Sequence, residues 1–459
     1  MPGVGLRRLA VVLVVLVAAA AIGGTIALSV PGLLTRLGGT PTPALPPAPQ
    51  LVLTPLAATA PIPTTPALES ALEEPLEAIP GTVSGVVRDA LTGTVLWDHA
   101  AERSLVPGST AKLLTAAAAL LTLDPTSSLV TKAVAGPDAG TVVLVGGGDP
   151  TLTALPIGKE GVYPDPARLV DLAREVQAAM KGPITRVLID TSRYEGPRLA
   201  EGWDPSDVKG GYIAPIESLM LDGGRVDPAA QDGERVGEPA VAAGKAFAEL
   251  LGVDEKIETT TANPNAKVLG AVASAPISAL VEHSLRASDN VLAEVLGREV
   301  ARARGATADF AGATKATLAA LAQAGFDTTG TQLSDTSGLS TEDRLSARVL
   351  GAVLAAAAKP SQGPHDVQFL RPILSGLPVA GGVGTLATRF EADGIAADGR
   401  GVVRAKTGTL TGVSTLAGVV TDADGRLLVF ALMSNGGSPA AVRPRLDDLA
   451  AELSACGCR

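Results

Sequence analysis

Ser109-Thr110-Ala111-Lys112 heads an apolar run, Ala111 to Leu123, built mostly of alanine and leucine. Such a run predicts a buried helix. Residues three apart on a helix share a face, so the Ser109 hydroxyl and the Lys112 amine are set side by side at its start. Pro107-Gly108 stands just before them. A helix N-terminus offers free backbone N–H groups and the positive end of a dipole. The ordinary role for a serine there is an N-cap; the other is a nucleophile whose developing oxyanion meets those amides.

An amine accepts a proton only when neutral. An unperturbed lysine titrates at about 10.4, so a base working near pH 7 needs a fall of roughly three units, or ~4 kcal/mol. Burial and a second cation both push that way. Lys406 is the expected second cation, if the fold brings it near Lys112.

Two further short motifs follow in chain order, Ser288-Asp289-Asn290 and Lys406-Thr407-Gly408. Ser288 offers a hydroxyl to relay a proton, and Asn290 both a donor and an acceptor. Read alone, that tripeptide is a polar break in a helical stretch. Lys406, Thr407, Gly408 and Thr409 close an apolar strand pattern. A lysine charge and two threonine hydroxyls suit a carboxylate, and an edge strand can pair with an extended peptide. Read alone, the same residues are a strand end entering a turn. Ser-x-x-Lys, Ser-Asp-Asn and Lys-Thr-Gly in this order form the motif set of serine penicillin-recognising enzymes.

The interior is made of small side chains: 46% of the 459 residues are hydrophobic and only 2% aromatic, so packing rests on many small contacts. The chain is long enough for two or three domains. Its net charge of −10, without a basic run or basic–aromatic patch, argues against nucleic acid as a partner. His99, His283 and His365 are scattered, and Cys456 and Cys458 alone make no zinc set. No metal or organic cofactor is expected. The two cysteines read as part of a surface tail, 456–459; a strained disulfide between them or pairing with another chain are the alternatives. Gly146-Gly147-Gly148 lacks the Gly-Lys-Ser/Thr ending of a phosphate loop, so a turn after a strand is the better account.

Arg7 and Arg8 precede an uncharged apolar stretch, residues 9–30. Its length fits a membrane-spanning anchor with a cytoplasmic start. Small residues at Ala18 to Ala21 leave a cleaved signal peptide, and hence secretion, as the alternative. Either way everything downstream is exported. Residues 31–69 are rich in proline, threonine and alanine and read as a semi-rigid linker, with the folded part beginning near Ser70. Strands are expected at Val83 to Arg88 and Val95 to Trp97, around the turn Asp89 to Gly93, and at Val142 to Val145 and Arg186 to Ile189. Three more are expected at Val402 to Lys406, Thr415 to Thr421 and Leu427 to Met433. Helices are expected from Ser109, at Val170 to Met180, over most of Ser274 to Arg304, and at Pro444 to Ala455. Helices and strands come in clusters and not in strict alternation, which predicts an α+β fold.

Several longer stretches carry a family likeness. They are Pro107 to Ala117, Gly147-Gly148-Asp149-Pro150-Thr151-Leu152, Ser288 to Glu294, Asp335 to Ser340, Pro378-Val379-Ala380-Gly381, Gly384-Thr385-Leu386 and Arg404 to Leu410. With them the chain, from roughly Val83 to Gly436, resembles the D-alanyl-D-alanine carboxypeptidase/endopeptidase family known as penicillin-binding protein 4, peptidase family S13. The resemblance implies a β-lactamase/transpeptidase-like domain split by an inserted domain. Residues 70–124 would form its first part, 125–272 the insertion and 273–455 its second part.

It also implies that Ser109 is acylated, with Lys112 its base and Ser288 and Asn290 the second catalytic element. Lys406 and Thr407, with Gly408 and Thr409 beside them, would hold the substrate's terminal carboxylate. Backbone N–H groups of Ser109 and Thr409 would form the oxyanion hole. The implied activity is cleavage of D-Ala-D-Ala termini, and of D-Ala–diaminopimelate cross-links, in peptidoglycan stem peptides of the bacterial envelope, with β-lactam antibiotics as acylating ligands. A β-lactamase shares the motifs, but no Glu-x-x-Leu-Asn is found. A catalytically silent envelope scaffold is the non-enzymatic alternative. Thr336 stands where the family usually has glycine, and an altered local backbone is the expectation there.

Overall fold

A computed structural model describes residues 59–254, 256–359 and 368–457. The apolar segment 9–30, most of the linker and Cys458 lie outside the described residues. The first helix, α1 (Thr65–Glu77), starts ahead of the Ser70 expected as the beginning of the fold. Leu68 and Leu72, one turn apart, are its buried contacts. Strands β1 (Thr82–Asp89) and β2 (Val95–His99) form the predicted hairpin, and the two-residue β3 (Ser104–Leu105) follows. The next segment corrects the sequence reading. Ser109 does not cap an α-helix: Gly108–Ala111 is a 3-10 turn, and α2 (Lys112–Thr122) begins at the lysine.

The middle of the chain builds a sheet of its own. Strands β4 (Ser128–Ala135) and β5 (Thr141–Val145) lead through α3 (Leu169–Ala179) to β6 (Arg186–Asp190). Then α4 (Pro239–Leu251), β7 (Glu258–Thr259) and β8 (Val268–Pro276) complete it, in the order β7-β6-β5-β4-β8. Its parallel pairs are β5–β6 and β6–β7, the two joined across a helix as parallel pairing requires. Val142, Leu144, Val187 and Ile189 pack on Leu172, Val176 and Phe247 to make its separate core.

Helices dominate next, with α5 (Ile277–Arg286), α6 (Asn290–Ala303), α7 (Phe310–Gln323), the two-residue strand β9 (Leu345–Ser346) and α8 (Ala347–Ala358). β8 takes up the start of the stretch expected to be helical from Ser274. The chain ends with β10 (Arg404–Leu410), β11 (Val413–Thr421), β12 (Leu427–Asn435) and α9 (Pro439–Ala455). Here β1 and β2 return, because the second sheet is ordered β10-β11-β12-β1-β2 and is antiparallel throughout.

Side chains on a strand alternate between faces, and β12 shows it: Val429, Ala431 and Met433 join the core of α2, α5, α6 and α8. Leu428, Phe430 and Leu432 join the opposite core, with Leu68 and Leu72 of α1 and Leu446 and Leu449 of α9. Each such leucine contributes roughly 1.5–3 kcal/mol by leaving water. Cys456, read from sequence as part of a surface tail, is instead 6% exposed in that second core. Among the described residues no helix is long and apolar enough to cross a membrane.

Candidate active site

Three chain segments meet at Ser109, and two glycines let them do so. Gly108 has φ +53, and a Cβ there would stand 3.0 Å from the Thr409 backbone nitrogen. A Cβ on Gly408 would stand 2.1 Å from Thr415 Oγ1, 2.4 Å from the Pro107 carbonyl oxygen and 3.1 Å from the Ser109 nitrogen. Only residues without a side chain permit this approach. It brings the Thr409 backbone nitrogen against Gly108 and that of the half-buried Ser109 against Gly408. Thr415 Oγ1 donates to the Pro107 carbonyl at 2.7 Å and ties the turn to β11.

Lys112 points back along its helix and is 1% exposed. Its Nζ donates to Ser109 Oγ at 2.9 Å and to the Ser337 carbonyl oxygen at 2.7 Å, and it also reaches Asn290 Oδ1. Burial pushes this ammonium down to about 8, against the pull of the Asp335, Glu294, Asp289 and Asp343 carboxylates. The direction matches the requirement for a neutral amine.

Lys406 and Thr407 are not at a strand end. They lie in mid-β10, opposite Ala417 and Leu416, and β10 is an edge strand. Lys406 is fully buried, and its Nζ donates to Ser288 Oγ at 2.8 Å and to the Thr407 carbonyl at 2.8 Å. Burial first, and the Lys112 charge second, pull its ammonium well below the ordinary lysine range. Thr407 Oγ1 is 2.7 Å from Thr385 Oγ1, and Arg443 Nε of α9 donates to Thr409 Oγ1 at 3.3 Å. Thr385 and Arg443 thus flank the hydroxyls expected to meet a carboxylate.

Ser288-Asp289-Asn290 is the joint between α5 and α6. Ser288 has φ +56, a left-handed conformation that costs a non-glycine residue of order 1–3 kcal/mol. Asp289 caps α6, its Oδ1 accepting from the Leu292 N–H at 2.9 Å. Its Oδ2 accepts from Tyr163 Oη at 2.8 Å and Arg225 Nη2 at 3.1 Å, both from the middle of the chain. Burial opposes the charge, yet Arg225 and then Arg235 hold this carboxyl well below the usual carboxylate range. Asn290 Nδ2 donates to the Tyr212 carbonyl at 2.9 Å.

The loop 335–340 supplies the carbonyl that Lys112 uses. Asp335 folds it, Oδ1 accepting from the Ser337 and Gly338 N–H groups and Oδ2 from the Ser340 N–H and Trp203 Nε1, the last at 2.7 Å. Thr336 does not force a left-handed backbone. Its hydroxyl, with one proton to share, lies 3.1 Å from the Ala293 carbonyl oxygen and 3.0 Å from Glu294 Oε2, and its N–H donates to Glu294 Oε1 at 3.0 Å. Burial, with Asp335 nearby, pushes the Glu294 carboxyl up to about 7.

All eight residues singled out from sequence therefore lie together. Tyr163, Trp203, Tyr212 and Arg225, which touch the motifs from the middle of the chain, were not singled out. One signal was available: the chain has three tyrosines and two tryptophans, and three of these five aromatics are at this junction. Among the described residues no group of three or more histidine, cysteine or acidic side chains is placed to hold a metal ion.

The D-Ala-D-Ala carboxypeptidase 3 (S13) family model matches residues 64–248 and 233–455. The chain is 45% identical to the carboxypeptidase DacB of Mycolicibacterium smegmatis over 428 residues, covering 90% of this chain and 91% of that one. It is 44% identical to a carboxypeptidase of Mycobacterium tuberculosis, covering 92% and 91%. Among solved structures it resembles penicillin binding protein 4 of Haemophilus influenzae, with a TM-score of 0.67 and 21% identity over 83% of this chain and 97% of that one. That likeness carries the fold: mixed helix and sheet of the penicillin-recognising kind. With a family model matching nearly the whole described region and two relatives above 40% identity, the chain belongs to the D-Ala-D-Ala carboxypeptidase 3 (S13) family.

Proposed function

We propose that this chain is a serine DD-peptidase of the cell envelope, removing the terminal D-alanine of peptidoglycan stem peptides through an acyl-enzyme on Ser109. One observation carries the assignment of roles: Lys112 Nζ bridges Ser109 Oγ, Asn290 and the Ser337 carbonyl in a buried setting that lowers its proton affinity. Neutral Lys112 takes the Ser109 proton as Oγ bonds to the carbonyl carbon of the penultimate D-alanine. The N–H groups of Ser109 and Thr409 meet the oxyanion.

The C–N bond then breaks as Ser288, hydrogen-bonded to Lys406, passes its proton to the leaving amine and takes back the one held on Lys112, which is left neutral. D-alanine departs, and water attacking the ester restores Ser109 and releases the shortened peptide. The substrate lies as an added strand along β10. Thr407 and Thr409, with the charge of Lys406 behind them, receive its terminal carboxylate. D-Ala–diaminopimelate cross-links fit the same chemistry, since only the leaving amine differs. Residues 9–30 hold the enzyme at the membrane, and the proline-rich segment spaces it from the bilayer.

The test is intact mass of the protein after incubation with benzylpenicillin, wild type beside Ser109→Ala, with D-alanine release from a D-Ala-D-Ala peptide measured in parallel. The expected result is a lasting adduct of one drug mass and D-alanine release, both absent in the variant. Folded wild type giving neither makes the chain a scaffold, and rapid drug hydrolysis makes it a β-lactamase.

A further inference from the structure

Asp289 needs only Oδ1 to cap α6. Its second oxygen is committed to Arg225 and Tyr163, in an ion pair whose side chains are 0% and 1% exposed. The arginine is itself braced. Nη1 donates to Tyr163 Oη at 2.9 Å and to the Asp222 carbonyl at 3.0 Å, and Nε to the Gln231 carbonyl at 3.3 Å. Its guanidinium also lies over the Tyr163 ring, 5.0 Å from the centroid. Arg235 alongside donates to the carbonyls of Gly211 and Gly223, so it holds the chain next to Tyr212, whose own carbonyl receives Asn290.

On either side of Asp289 stand Ser288, in its left-handed conformation, and Asn290, on Lys112. We propose that Arg225 is a positioning residue for acyl transfer, acting through Asp289 on Ser288 and Asn290, so that the middle segment of the chain is a working part of the site. This rests on the proposed roles of Ser109, Lys112, Ser288 and Asn290.

Two consequences separate positioning from mere support. The first is geometric: without the fork, Ser288 and Asn290 drift, and displacements near 1 Å cost on the order of 10²-fold in rate. The second is electrostatic. Lys112 feels the carboxylates of Asp335, Glu294, Asp289 and Asp343, while Lys406 feels the charge of Lys112. Removing the Arg225 charge leaves Asp289 with only Arg235 and His283 to offset it, which favours protonated Lys112 and moves the rising limb of acylation to higher pH.

The experiment follows benzylpenicillin acylation of the full chain by mass against time, drug concentration and pH. Wild type is compared with Arg225→Gln, Arg225→Lys and the pair Arg225→Gln/Asp289→Asn. Arg225→Gln is expected to lower the plateau rate constant about 10²-fold, leave drug affinity nearly unchanged and shift the limb upward. The neutral pair, which can hydrogen-bond as amide to amide, is expected to recover at least about 10-fold of that loss and the wild-type limb. Arg225→Lys keeps the charge without the fork: wild-type limb, lower plateau.

Wild-type rates in Arg225→Gln overturn the proposal, as does a folded neutral pair no faster than the single variant. Should Arg225→Gln not fold, Arg225→Lys decides, and a wild-type plateau there is the overturning result. No adduct on folded wild type overturns the assignment of the site and this proposal with it; a wild-type adduct beside an unimpaired variant overturns this proposal alone.

Discussion

Lys406 Nζ donates to Ser288 Oγ at 2.8 Å from a site closed to solvent, where the charge of Lys112 opposes its own. Burial lowers both ammoniums, that of Lys112 to about 8. Because acylation needs neutral Lys112, its rate rises with pH, close to tenfold per unit below about 8, and levels above. Stopped-flow acylation by benzylpenicillin between pH 5.5 and 9.5 measures this. A flat profile excludes Lys112 as the base, and Lys112→Arg, cationic at every pH, is expected to lose at least about 10³-fold.

Gly408→Ala puts a methyl where Thr415 Oγ1 and the Pro107 carbonyl already stand. β10 must then move away from the 3-10 turn, taking the Thr409 N–H out of line. Loss of one oxyanion donor costs roughly 10²–10³-fold. Acylation of Gly408→Ala should fall by that factor; a rate within threefold of wild type shows that the Thr409 amide is dispensable.

Trp203→Phe keeps the ring against Phe310, 5.1 Å between centroids, but removes the N–H that reaches Asp335 Oδ2. A hydrogen bond to a buried carboxylate contributes about 1.5–3 kcal/mol. Urea unfolding of the variant should show a loss of that size, together with slower acylation, since Asp335 shapes the loop that presents the Ser337 carbonyl to Lys112. Unchanged stability dissociates the indole from the loop.

Asp149 supplies a test by stability. Burial pushes its carboxyl up to about 6, against hydrogen bonds from Thr151, and its Oδ2 has no partner. The folded state thus binds this proton more tightly than the unfolded chain, whose aspartate titrates near 3.9. Stability falls as pH rises from about 4 through 6, and the charge costs up to roughly 2–3 kcal/mol at pH 8. Asp149→Asn removes that cost: it should melt above wild type at pH 8 and level with it at pH 4. A variant that melts lower at pH 8 contradicts the assignment.

The motif residues and the strands that carry them were readable because each announces itself locally. Valine-rich alternation marks β11 and β12, and Ser-x-x-Lys marks a shared helical face. What escaped reading depends on partners far away in sequence. Ser128–Ala135 has no strong pattern of its own and becomes a strand by lying between β5 and β8. Lys406 looked like a strand end because Gly408 follows it; only Pro107 and Thr415, crowding that glycine, show why β10 runs on. Tyr163, Trp203 and Arg225 sit in unremarkable loops, and their meaning lies in Asp289 and Asp335. Local chemistry fixes which residues react, while distant packing fixes what holds them.

β1 lies between β2 and β12, with Thr82 opposite Asn435. In chain order β1, Ser109 and Lys112 come long before β10, β11 and β12, which complete their sheet. Until β12 arrives, one long side of β1 stays open. Lys406, the Thr409 amide and the wall behind Ser109 are missing too. The surroundings of Ser109 are thus complete only once the last strands of the chain have docked.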